Sequence, residues 1–213
     1  MNDHSPKMKA IKSAEDIRSA NESLSPKAKA TFQLIVDTAH DSFSKHGYEL
    51  TSIKSIADDA GISVGLIYKY FSNKEELYRY IVLHEQKAIK AFVRQGMTPD
   101  MSRLEKEKLG LRNWVHYVLE NKDVYKLIWE SLFFDKASFD EYYRNFALSY
   151  RQGLGMDEDQ LSENDVKNLA WIIIGINTFL GLRVNIARHQ ITEEEIDEMV
   201  ETVSHVLQHG CLK

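Results

Sequence analysis

Between Thr51 and Glu76 the chain reads Thr-Ser-Ile-Lys-Ser-Ile-Ala-Asp-Asp-Ala-Gly-Ile-Ser-Val-Gly-Leu-Ile-Tyr-Lys-Tyr-Phe-Ser-Asn-Lys-Glu-Glu, and few folds accommodate that order. Ile53, Ile56, Ala57 and Ala60 recur at helical spacing, which gives one apolar face. Thr51 is placed to cap the helix, since a hydroxyl there satisfies an otherwise orphaned backbone N–H. Gly61 follows the last periodic residue, where a left-handed backbone ends a helix at little cost. Ser63 is positioned for a second cap, and Val64 to Phe71 supplies a further helix of about two turns. Two short helices joined by a tight glycine turn are the signature of a helix-turn-helix.

Composition points to an all-α protein. Three prolines and ten glycines in 213 residues leave helices largely unbroken. Cys211 is alone in the sequence, so no internal disulfide framework exists and a reducing cytoplasm is expected. The polar N-terminus lacks an apolar signal region. The apolar run from Leu169 to Leu182 is interrupted by Gly175, Asn177, Thr178 and Gly181. It is too short to span a bilayer, which needs about 20 residues, so a buried helix is expected and no membrane contact.

Residues 1–25 read as an N-terminal extension, with Lys7, Lys9 and Lys12 as a candidate basic arm. A first domain is expected over 26–95, with the helix-turn-helix at 52–71. Its first helix runs from Lys27 to Lys45 and ends at His46-Gly47. Asn73 and Glu76 form a capping-box pair opening a helix that continues to about Arg94. Gly96-Met97-Thr98-Pro99 breaks the chain before a second domain over 96–213. There, Ser102/Glu105, Ser138/Glu141, Ser162/Asp165 and Thr192/Glu195 repeat the capping pattern. They predict helices at about 103–121, 123–134, 138–153, 163–189 and 193–209.

Helix N-terminal residues reach base edges when a recognition helix enters the major groove. Here those are Ser63, Val64 and Gly65. Gly65 lets backbone approach closely, and Val64 offers methyls to a thymine methyl. Lys69 is the cation of the short helix, able to reach a guanine or a phosphate. Tyr68 and Tyr70 carry hydroxyls suited to phosphate oxygens, with simple packing as the alternative for Tyr68. Lys74 opens the next helix, where a phosphate is also favoured. The net charge of −5 does not forbid this: residues 26–87 balance eight Lys/Arg with eight Asp/Glu, and the acidic excess lies beyond.

The segment from Ile35 to Leu77 resembles the DNA-binding domain of the TetR family of bacterial transcriptional regulators. The resemblance is carried by Ala39, Phe43, Gly47-Tyr48, Thr51, Ile56-Ala57, Ala60-Gly61-Ile62-Ser63, Gly65, Tyr68, Tyr70-Phe71 and Asn73 to Leu77. It implies phosphate contacts from Thr51, Ser52, Ser63, Tyr68, Tyr70 and Lys74, and base or near-base contacts from Val64, Gly65 and Lys69. Many members carry Lys where this chain has Val64, and an aromatic residue or His where it has Lys69. The family's base preference therefore does not transfer.

The last two predicted helices look like an interface. Leu169, Ile172, Ile173, Ile176, Phe179, Leu180 and Leu182 surround one of them, and Ile196, Met199, Val200, Val203, Val206 and Leu207 stripe the other. Two helices from each of two copies would form a four-helix bundle; internal burial in a monomer is the alternative. Between boundary and interface lies an aromatic-rich stretch where the resemblance implies an effector cavity. Trp114, Tyr117, Trp129, Phe133, Tyr143 and Asn177 are its candidate lining, suited to a hydrophobic small molecule such as an acyl group or a planar drug. His116 and Arg183 are candidate polar anchors.

Catalytic signatures are absent: there is no Gly-x-Ser-x-Gly elbow, phosphate loop or dinucleotide fingerprint. His205 and His209 share one helix face but lack further ligands, so neither metal nor cofactor is expected. The reading is a non-enzymatic, cytoplasmic, homodimeric regulator, in the first instance a repressor of a palindromic double-stranded DNA operator, released by a small effector. The alternative is an interaction protein on the same scaffold whose C-terminal domain binds a protein partner.

Overall fold

The computed structural model describes residues 24–134 and 163–209, with scattered helical positions between 136 and 148. The extension with Lys7, Lys9 and Lys12, the caps expected at Ser138 and Ser162, and Cys211 lie outside the described residues. Packing divides the chain into two compact units between His84 and Glu85. Among the described residues the structure is helical, without strands.

In the first unit, α1 spans Pro26–Leu50 and is interrupted at Gly47, whose φ is 80°. The Ser25 hydroxyl accepts from the Ala28 amide, and Pro26 occupies the first helical position, where its missing N–H costs nothing. Helix α2 spans Ile53–Asp59 and α3 spans Val64–Ile67. Helix α4, Lys74–Val93, begins in this unit and runs past the division.

Two local expectations are corrected. The cap of α2 is Ser52, not Thr51: the Ser52 hydroxyl accepts from the Ser55 amide at 2.9 Å, and the Ser55 hydroxyl accepts from the Ser52 amide at 3.0 Å. This is a capping box with serine replacing the usual Glu. The α3 helix is also shorter than the two turns expected. It closes at Tyr68, and a tighter turn follows, with the amides of Lys69 and Tyr70 reaching the carbonyls of Leu66 and Ile67.

The turn between α2 and α3 follows from Gly61. At φ 66° it adopts the left-handed conformation, so the Ile62 amide bonds the Ala57 carbonyl and the Gly61 amide that of Asp58. That is a Schellman ending, and a β carbon at Gly61 would strain it. Beneath lies a core of Phe32, Ile35, Val36, Ala39 and Phe43 from α1 with Ile56, Ile67, Phe71, Leu77 and Ile81. Phe32 stacks on Phe71 at 5.4 Å, and Tyr78 meets Phe43 edge-on at 5.1 Å.

In the second unit, α5 (Arg103–Glu120) packs against α6 (Lys122–Phe134), α7 (Glu163–Asn185) and α8 (Glu193–His209). The caps of α5 and α8 form as their sequences predict. Glu105 closes on Ser102, and Glu195 closes on Thr192, with each carboxylate accepting from the cap residue's amide. The Ser102 hydroxyl and amide hold the Glu105 carboxyl below its ordinary range. Helix α8 lies on α5 through Ile196, Met199 and Val200, flanked by ion pairs from Lys108 to Glu201 and from Arg112 to Glu193 and Asp197. These three apolar residues, expected in an interface with another copy, are therefore buried within the chain.

Gly181 fixes the approach of α7 to α5 and α6. A β carbon there would sit 3.0 Å from the Trp114 ring and 3.1 Å from the Tyr125 hydroxyl. Gly181→Ala is expected to lower stability by about 1–3 kcal/mol through overpacking, read as a lower midpoint in urea with unchanged slope.

Candidate nucleic-acid interface

Four of the candidate residues on and beside α3 present free surface. Ser63 is exposed and makes no side-chain cap bond, Gly65 is exposed with nothing near its absent β carbon, and Lys69 is exposed. Tyr68 is 52% exposed, while Phe71, three residues on, is sealed in the core. Val64 is half-buried. The short helix thus offers a nearly smooth front at Gly65 with polar groups on either side. Such a surface can approach a groove closely and bond to phosphates around it.

Thr51, Tyr70 and Lys74 are committed inward. Thr51 is 2% exposed, and its hydroxyl sits 2.8 Å from the Gly47 carbonyl and 3.1 Å from that of Ser42. A phosphate role for this side chain is corrected: its proton is taken by main-chain acceptors. The Tyr70 hydroxyl donates to the Ala28 carbonyl at 3.2 Å. The Lys74 ammonium donates to the carbonyls of Tyr48 at 2.9 Å and Thr51 at 3.1 Å, and lies 4.0 Å above the Tyr48 ring. These two pin the reading element in this conformation. The Asn73 side chain caps α4 by accepting from the Glu76 amide, while Glu76 accepts from the Ser72 amide, one residue away from the reciprocal bond expected.

Cations that the sequence did not single out stand free instead. Lys54, in the first turn of α2, is exposed and has no ion-pair or hydrogen-bond partner among the described residues. A lysine two residues past a cap was the available signal.

In the second unit the aromatic residues form a connected chain. Trp114 and Tyr117 stack at 6.2 Å, Tyr125 meets Trp114 at 5.7 Å, and Trp129 meets Tyr125 at 6.4 Å and Phe179 at 6.3 Å. Trp114 donates to the Asn177 carbonyl at 2.7 Å, so Asn177 enters through its main chain. Tyr125 donates to the Thr178 carbonyl, and Tyr117 to the Glu85 carboxylate at 3.2 Å. The Trp129 indole nitrogen is closed off from solvent and makes no aligned hydrogen bond among the described residues; the Tyr125 hydroxyl beside it already donates to Thr178. Tyr143 is buried and stacks on Trp171 at 6.3 Å. Phe133 is 76% exposed and does not join the candidate lining, a correction to that set. His116 lies 3.6 Å from Glu193, beside the α5–α8 ion pairs.

A helix-turn-helix with an exposed short second helix, followed by a unit of longer helices, defines a DNA-binding transcriptional regulator. Residues 35–81 match the family model described as bacterial regulatory proteins, tetR family. Over those residues the chain is therefore a TetR-type DNA-binding segment. An HTH-type transcriptional regulator of Staphylococcus aureus is 27% identical over 128 residues, covering 56% of this chain and 69% of that one. A TetR-family regulator structure from Syntrophomonas wolfei is similar with a TM-score of 0.69 at 22% identity, covering 86% of this chain and 97% of that one. The fatty acid degradation regulator FadR from Bacillus halodurans is similar with a TM-score of 0.62 at 18% identity, covering 85% and 100%. Among the described residues no helix is long and apolar enough to cross a membrane.

Thr51→Val is expected to cost about 1–3 kcal/mol by removing the buried donor that the Gly47 and Ser42 carbonyls share, measured by urea unfolding; Thr51→Ser should retain most of the stability. A pH dependence follows from the second unit. Burial pushes the phenols of Tyr117, Tyr125 and Tyr143 up. A raised folded value stabilises fully below the unfolded one, about 10 for tyrosine, and that stability is lost as pH climbs beyond it. Thermal midpoints by circular dichroism should hold to about pH 10 and then fall, and Tyr117→Phe should flatten the fall.

Proposed function

We propose that the chain is a ligand-responsive repressor that binds a palindromic operator as a homodimer in the cytoplasm. The exposed, side-chain-free front at Gly65, flanked by Ser63, Tyr68 and Lys69, is the observation that carries operator binding. Groove docking brings Val64 and Gly65 to the bases, while Ser52, Ser63, Tyr68 and Lys54 meet phosphates. TetR-family regulators bind DNA and dimerise, and a two-half-site operator requires two reading heads.

Helix α7 supports pairing. Trp171, Ile172 and Phe179 stand 43%, 58% and 66% exposed on a helix whose other side is buried. A second copy of the same helix is the natural cover for such a face, with Val203, Val206 and Leu207 of α8 alongside. The effector is a hydrophobic small molecule bearing a hydrogen-bond acceptor, taken up beside Trp114, Tyr117, Trp129 and Tyr143. Its acceptor meets the Trp129 nitrogen, which makes no aligned hydrogen bond among the described residues. The similarity in fold to a fatty acid degradation regulator favours an acyl chain over a planar drug. Binding shifts the pair toward a spacing at which both heads cannot dock, which requires only a higher affinity for that state.

Footprinting on DNA flanking its own gene tests this. The unaltered protein should protect a palindromic segment. Gly65→Leu should fold normally, because space is open there, yet lose protection by at least about tenfold, equal to 1.4 kcal/mol. Phe179→Glu should sediment as a single chain and lose protection as well. Full protection by Gly65→Leu would remove groove docking through α3.

A further inference from the structure

Three of the described cations of the first unit are already engaged. Lys45 pairs with Asp41, Arg79 with Glu75, and Lys74 is turned onto main-chain carbonyls. Lys27 and Lys29 are, like Lys54 and Lys69, exposed, and neither amine has a partner among the described residues. Their position also runs against the helix. The first turn of α1 contains no acidic residue, although negative side chains are the ones a helix start stabilises and positive ones are repelled. Ser25 and Pro26 already start the helix, so the lysines do nothing for it. A local rule broken without structural gain is where function is expected.

The same turn is tied to the reading element. Between the two lysines, the Ala28 carbonyl accepts the Tyr70 hydroxyl, and Phe32, one turn on, meets the Tyr70 ring at 5.8 Å. Tyr70 lies just past α3, two residues after the exposed Tyr68. The start of α1 is thus held beside the end of α3 by one hydrogen bond and one ring contact.

We infer that Lys27 and Lys29 grip the DNA backbone beside the docked α3 helix, with Tyr70 as the positioning residue that sets their place. This rests on the DNA-binding reading above and adds to it a phosphate contact outside the helix-turn-helix. The sugar–phosphate backbone is the partner because nothing at this turn can read a base: two flexible ammonium groups act as point charges, not as planar forks. The contact adds affinity equally on all sequences.

The test is the salt dependence of binding to two duplexes, one from the DNA flanking its own gene and one scrambled. Each phosphate neutralised contributes about 0.9 to the slope of log K against log salt. The double variant Lys27→Gln/Lys29→Gln should lower that slope by about one unit per removed lysine per bound chain, equally on both duplexes. Lys45→Gln should leave it unchanged. Circular dichroism melts of the double variant should match those of the unaltered protein, because both side chains are exposed and neither amine is bonded among the described residues. Tyr70→Phe, keeping the ring and losing the hydroxyl, should weaken binding more in the unaltered protein than in the double variant, the difference being the share that acts through the lysines. An unchanged slope in a double variant that still binds overturns the inference and leaves the DNA-binding reading standing. Failure of the unaltered protein to bind either duplex removes that reading, and the inference with it.

Discussion

A helix of one turn cannot hold its own shape in water, because nucleation fixes several dihedrals for each early hydrogen bond gained. Helix α3 has four residues, so its geometry is lent by neighbours. The Lys74 ammonium gathers the carbonyls at the end of α1 and the start of α2, and the Thr51 hydroxyl closes the same junction from inside. Ile67 and Phe71 anchor α3 and the turn after it in the core, and Tyr70 ties that turn to α1. Polar residues that a sequence reading assigns to the ligand here serve to hold still the exposed residues of α3.

A related economy operates in the second unit. Trp114 and Tyr125 donate to successive carbonyls in the middle of α7, at Asn177 and Thr178. Such carbonyls are ordinarily screened by the side chains of the following turn. Gly181 leaves that turn bare, so an indole and a phenol from two other helices reach the same stretch of backbone. The polar ends of these aromatics are thereby satisfied in an apolar setting, where an unmet N–H or O–H would cost about 1–3 kcal/mol. Trp129 is the exception.

Helix positions were readable because apolar spacing and caps are local. The ends of α8 match the expected range, and Ser102/Glu105 and Thr192/Glu195 close as their spacing predicts. Gly61 announces its own turn through the backbone it needs. The direction of a side chain is not local, and there the sequence was silent. Thr51 and Ser52 are both plausible caps; only packing under Gly47 decides that Thr51 turns inward and Ser52 caps. Lys74 looks like a phosphate ligand until the carbonyls of Tyr48 and Thr51 stand within reach of it. The apolar stripe of α8 suited either another copy or the chain's own α5, and Ile196, Met199 and Val200 are buried in the latter.

The three tryptophans occupy three different solvents. Trp114 is buried and bonded to backbone, Trp129 has its nitrogen sealed without an aligned partner, and Trp171 stands 43% in water. Indole emission shifts with the polarity around the ring, and dissolved quenchers reach only what water reaches. The chain therefore carries intrinsic optical probes of its interior, of the neighbourhood of one unmet donor and of an outward helix face, without an added label.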